Sequence, residues 1–138
     1  MAGMTLVEVM VATAIFGLIF GSVLTGLWQA SYRTTWTTLS VEAARFAEER
    51  IEQTQNARWD PTALPVVDEV VSTNFPLRTG ALFEFSSGGS VLATNTLTIT
   101  TLTNTYGGTY RAIASTVVWK YRGRGPFTNN VVTIRAQD

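Results

Sequence analysis

Histidine and cysteine are both absent from this chain, so its chemistry must come from carboxylates, cations and hydroxyls. That removes the commonest metal ligand, the usual general base and the usual pH switch together. No nucleophile and base can be paired, and neither an enzyme, a cofactor nor a metal is expected. Three groupings of charge remain. Glu8 is the only charge in an apolar stretch, and the 24 residues from Val9 to Tyr32 carry none. Lys120, Arg122 and Arg124, with Tyr121 and Arg135 nearby, resemble a polyanion contact patch. A solvated loop with edge-strand protection is the preferred reading of those bases, so nucleic acid is not the expected partner. Asp60, Asp68 and Glu69 could hold a hard cation with connector carbonyls, but they follow no recognisable ligand spacing.

Glu8 carries the most information. An uncharged stretch of this length can cross the ~30 Å hydrocarbon core of a bilayer as a helix. A carboxylate near its start costs a few kcal/mol at depth and less near the interface, so a partner is expected. An ammonium meets that need, because the two charges satisfy one another where the dielectric is low. Another copy's amino terminus would supply it, and burying the pair would reward docking of subunits. Leu6, Val7, Val9, Met10, Val11, Ala12, Ala14, Ile15 and Phe16 leave almost no polar face, as suits lipid or the inside of a bundle. Gly17 and Gly21 have the small-residue spacing used between membrane helices. A cleaved secretory signal fits poorly, since the apolar run is too long and contains Glu8.

The run Gly3-Met4-Thr5-Leu6-Val7-Glu8-Val9-Met10-Val11-Ala12 resembles the processing and assembly signal of type IV pilins and type II secretion pseudopilins. The resemblance covers Ala2 to about Leu27 in detail and the rest only in general plan. It implies cleavage after Gly3 by a prepilin peptidase that then methylates Met4. Glu8, with Thr5 beside it, would meet the amino-terminal nitrogen of a neighbouring subunit during assembly. The implied partners are other pilin or pseudopilin subunits, the prepilin peptidase/methyltransferase, an inner-membrane assembly platform and membrane lipid. The implied location is the bacterial inner membrane as a single-pass precursor with its C-terminal domain periplasmic, and then a pseudopilus or surface pilus. The leader carries no base, so charge bias barely supports that topology and Arg33 mildly opposes it. The missing mid-helix proline, the missing cysteines and the run Ala12-Thr13-Ala14-Ile15-Phe16 look more like a minor than a major subunit.

The elements that must position these residues can also be read. Trp36, Leu39, Ala43, Phe46, Ala47, Arg50, Ile51 and Thr54 recur at steps of three and four, one packed stripe of an amphipathic helix. A helix from about Thr5 to Asn56 would be ~80 Å long, with the threonine-rich span Ser31 to Ser40 its weak point. Pro61 and Pro65 end the helical period. A connector follows to about Gly80, with room for a short strand at Val66 to Val71. Strands are expected at Ala81–Phe85, at Val91–Thr103 as one or two, at Thr109–Tyr121 and at Asn130–Ala136, with Arg122 to Pro126 as a hairpin loop. Ile113, Val117, Trp119 and Tyr121 should cover the helix, and Val132 and Ile134 should share a face.

The resulting expectation is an α+β, pilin-like fold: a long N-terminal helix, membrane-spanning in its first half, packed by its second half against three to four antiparallel strands. The divisions are 1–3 leader, 4–32 transmembrane and assembly helix, 33–57 amphipathic continuation, 58–80 connector and 81–138 sheet. Ten acids balance ten bases, but residues 1–69 hold eight acids and four bases while residues 70–138 hold two and six. That division could orient neighbouring subunits or be matched inside the fold. The functional expectation is a structural subunit of a type II secretion pseudopilus or type IV pilus. A monomeric membrane-anchored binding module, or a minor pilin contributing to DNA uptake, is the alternative.

Overall fold

The computed structural model describes residues 5–85 and 88–138. Its contacts divide the chain between Thr37 and Thr38, within the threonine-rich span. The helix α1 runs unbroken over Leu6–Asn56. Its hydroxyl residues are accommodated locally. Thr34, Thr35 and Thr37 donate to the carbonyls of Ala30, Ser31 and Arg33 at 2.9 to 3.0 Å. Thr13 and Thr25 do the same further up, to Val9 and Gly21. Such bonds give each hydroxyl a partner on its own helix, at a small cost in helix regularity.

The second unit is built on a four-stranded antiparallel sheet, ordered β3 (Arg78–Glu84), β4 (Ser90–Thr103), β5 (Thr109–Tyr121) and β6 (Arg124–Ala136). A two-stranded ribbon, β1 (Trp59–Asp60) with β2 (Val67–Asp68), occupies the connector. Leu39, Ala43, Ala47, Arg50, Ile51 and Thr54 are the buried residues of α1, six of the eight expected from the period. Ile51 packs with Trp59, Val70, Leu97 and Ile113 in an apolar core cluster. Burying a side chain the size of Ile113 stabilises by about 1.5–3 kcal/mol. On β5 alternate residues from Arg111 to Tyr121 are buried, including the four expected to cover the helix. Val132 and Ile134 do share a face, the outer one, opposite Ala114 and Ala112.

Two boundaries differ from expectation. β3 begins earlier than Ala81, while Val91–Thr103, expected as one strand or two, lies within one. The segment Arg122 to Pro126 is not a long loop, because β6 begins at Arg124. Arg122 and Gly123 have φ of 50° and 73°, the left-handed pair of a two-residue hairpin turn. Pro126 is tolerated within β6 because an edge strand can leave an N–H side unpaired.

The inner face of the sheet is more polar than a simple two-layer core requires. Asn95 and Ser115 are fully buried. Asn95 donates to the Phe46 carbonyl at 3.0 Å and accepts from the Ser115 hydroxyl at 3.2 Å. Asn129 donates to the Ser40 carbonyl at 3.1 Å while accepting from the Trp119 indole at 2.9 Å. Arg135 donates to the Thr54 carbonyl. Three sheet side chains thereby clip three helix carbonyls, and every one of these polar groups is satisfied.

Candidate functional site

The amino-terminal half of α1 is the first candidate. An 18-residue window in it has a mean hydropathy of 2.2 and none of it is buried within the chain. Leu6, Phe16 and Leu18 are 78%, 68% and 76% exposed. A Cβ built on Gly17 or Gly21 would meet nothing within 4 Å, so both small surfaces are open in the single chain. By length and composition this helix can cross a membrane.

At its start Thr5 and Glu8 form a reciprocal cap. The Glu8 carboxylate accepts from the Thr5 N–H at 2.9 Å and from its hydroxyl at 3.0 Å. The Glu8 N–H points back at the Thr5 hydroxyl at 3.4 Å. This is the capping box, in which two residues three apart satisfy orphan donors of the first turn, and the acid sits favourably at the positive end of the helix dipole. The pattern Thr-x-x-Glu was readable in the sequence, and the apolar context obscured it. Gly3 and Met4, the expected cleavage and methylation positions, lie outside the described residues.

The three connector acids do not converge. Asp60 accepts from the Thr62 N–H and hydroxyl and from the Ala63 N–H, bonds that hold its carboxyl below the usual range. Glu69 accepts from the Arg58 N–H at 2.8 Å. Asp68 takes both Arg111 guanidinium nitrogens, at 2.5 and 2.7 Å, and that bidentate pair lowers its pKa despite partial burial. Arg111 also donates to the Val70 carbonyl and stacks 4.2 Å above the Trp59 ring. Among the described residues no cluster of acidic side chains is arranged to hold a metal ion. Asp68 ties the connector to the sheet, while Asp60 and Glu69 bond within the connector itself.

Lys120, Arg122 and Arg124 come together at the β5–β6 turn, all three exposed. Lys120 and Arg122 line an open groove of about 580 Å³ with Phe85, Ser90, Val91, Leu92 and Tyr121. Arg122 lies over the Tyr121 ring, 5.5 Å from its centroid. Other cations of the sheet half are matched internally: Arg78 pairs with Glu49 at 2.6 Å, Arg111 with Asp68 and Arg135 with Asp138. The first two bridges join the basic half of the sequence to the acidic half.

Fold and site together define an α+β chain whose long, exposed, apolar N-terminal helix is suited to membrane anchoring and whose helix end packs on an antiparallel sheet. Comparison with protein-family models, curated proteins and solved structures finds no match.

Proposed function

We propose that this chain is a structural subunit of a type II secretion pseudopilus or type IV pilus, a minor subunit rather than a major one. It is inserted in the bacterial inner membrane with its C-terminal domain periplasmic, cleaved between Gly3 and Met4, methylated on Met4 and polymerised through α1. The observation that carries this reading is the bare amino-terminal half of the helix. Apolar side chains exposed around its whole circumference need a cover, and lipid or the helices of other copies can provide one. Glu8 supplies the polar docking element, and the α+β plan agrees with the resemblance in the amino-terminal residues. The work proposed is mechanical.

One observation favours a second reading, a monomeric anchored module. The Glu8 carboxylate already has donors in its own first turn, so a neighbour's amino terminus is not its sole means of satisfaction. Intact mass spectrometry separates the two. Membrane-recovered protein from cells with the prepilin peptidase should lack residues 1–3 and gain about 14 Da on the new amino terminus, while cells without it yield the intact precursor. An unchanged mass in both overturns the filament reading and leaves the anchored module.

A further inference from the structure

The basic groove is absorbed by neither the core nor the assembly helix, and its position in the second unit is informative. Asn129 of β6 reaches the Ser40 carbonyl and Arg135 reaches that of Thr54. Strand β6 therefore runs alongside the helix in the same sense, and its beginning lies at the end of the sheet where the helix enters the unit. The β5–β6 turn is at that end. So is the β3–β4 hairpin, because Val91 pairs with Phe83 and Ala93 with Trp119. The segments 83–91 and 119–127 carry three bases, Lys120, Arg122 and Arg124, against one acid, Glu84. Lys120 and Arg122 enter no ion pair among the described residues. Beside them Leu92 is 58% exposed and Phe83 40%.

This end is also the one that the chain holds near the membrane. The uncharged stretch ends at Tyr32 and the second unit begins at Thr38. Six residue steps reach roughly 20 Å even when fully extended, whatever the orientation of the unit. A cationic rim with exposed apolar side chains beside its charges matches a headgroup layer, where bases meet phosphate and apolar groups enter the acyl boundary.

We propose that the Lys120–Arg122 end of the sheet docks on anionic lipid headgroups beside the span, holding the second unit down on the bilayer. This rests on the membrane-anchored part of the reading above and not on the filament.

The chain contains no cysteine, so a single label can report the contact. Ser90→Cys places a fluorophore at the groove, and Thr105→Cys places one in the β4–β5 turn at the opposite end. The full chain is reconstituted in neutral vesicles or in vesicles with about 30 mol % phosphatidylglycerol, and a headgroup-bound quencher is read. Quenching should be selective for the Ser90 label and for anionic vesicles. It should fall in roughly 0.5 M salt, where screening lengths shrink to a few ångströms. In Lys120→Gln/Arg122→Asn the docked-to-undocked ratio should drop roughly 30-fold, about fivefold for each base removed. Equal quenching at both labels, or equal quenching in neutral vesicles, overturns the proposal. So does release by a short DNA duplex at constant ionic strength, which reassigns the groove to a soluble polyanion. A chain that fails to float with vesicles overturns the membrane reading itself, a result distinct from floating without docking.

Discussion

Glu8 has two available roles, and the choice of substitution separates them. A capping box accepts glutamine as readily as glutamate, because the amide oxygen can take the same N–H and hydroxyl bonds. An ion pair with a neighbour's ammonium does not, since the charge is gone. On the assembly reading Glu8→Gln and Glu8→Ala should both abolish filaments in a shear-and-blot assay, with helix content unchanged in the glutamine variant. If Glu8→Gln assembles normally and only Glu8→Ala fails, the residue is a cap and its assembly role is lost. A second residue-scale consequence concerns acid stability. Arg111 holds the Asp68 carboxyl below its unfolded value near 4. A depressed folded pKa means that the stabilisation is present above about pH 4 and is lost as pH falls through the lower folded value. Asp68→Asn should therefore lower stability at pH 7 and flatten the acid limb of the denaturation curve. An acid limb as steep as the parent's would show that this pair is not what titrates. Asp68 and Arg111 were individually visible in the sequence. Their pairing across 43 residues was not, because nothing local to either names the other.

At the scale of elements, what was legible is what period encodes. The stripe Leu39, Ala43, Ala47, Ile51 and the alternation along β5 are repeats of a single geometry, and both matched the burial found. Turns were harder. The sequence Arg122-Gly-Arg-Gly-Pro combines loop-forming residues, yet only two of them make the turn while the rest continue as an edge strand. Of the connector ribbon, β2 falls within the short strand expected at Val66 to Val71, whereas β1 was missed because Trp59-Asp60 stands directly before Pro61, where the sequence shows only the end of the helical period. The polar clips on the inner face were missed for another reason: nothing local to Asn95, Asn129 or Arg135 names the helix carbonyls opposite them. The small residues of the stripe make a prediction. Ala43 and Ala47 are wholly buried, so a larger side chain must displace helix from sheet. Ala47→Leu should destabilise by about 1–3 kcal/mol, measured by urea denaturation in detergent. Val41→Leu, on the exposed side of the same helix, should stay within about 0.5 kcal/mol of the parent. Equal effects would mean that the stripe does not set the packing distance.

At the scale of the whole molecule, the division at Thr37/Thr38 separates two kinds of stability. All the buried residues of α1 lie beyond it, together with the carbonyls that the sheet clips. Every described residue before it is exposed or half-buried, and the helix there rests on backbone bonds, hydroxyl back-bonding and the Thr5–Glu8 cap. Removing residues 1–32 therefore takes away the apolar surface without touching the core. The fragment 33–138 should be soluble without detergent, run as a monomer on gel filtration and unfold cooperatively. Its exposed Val132 and Ile134 lie among threonine and alanine neighbours on the outer sheet face. The full chain should require detergent or lipid, because an exposed apolar helix of this length associates or aggregates in water. A fragment that precipitates, or shows no cooperative transition, would mean that the amino-terminal half stabilises the sheet domain. The helix would then be a structural element of a single body, and a role in which it leaves lipid for a bundle of other copies would carry a cost in folding that the present fold gives no sign of.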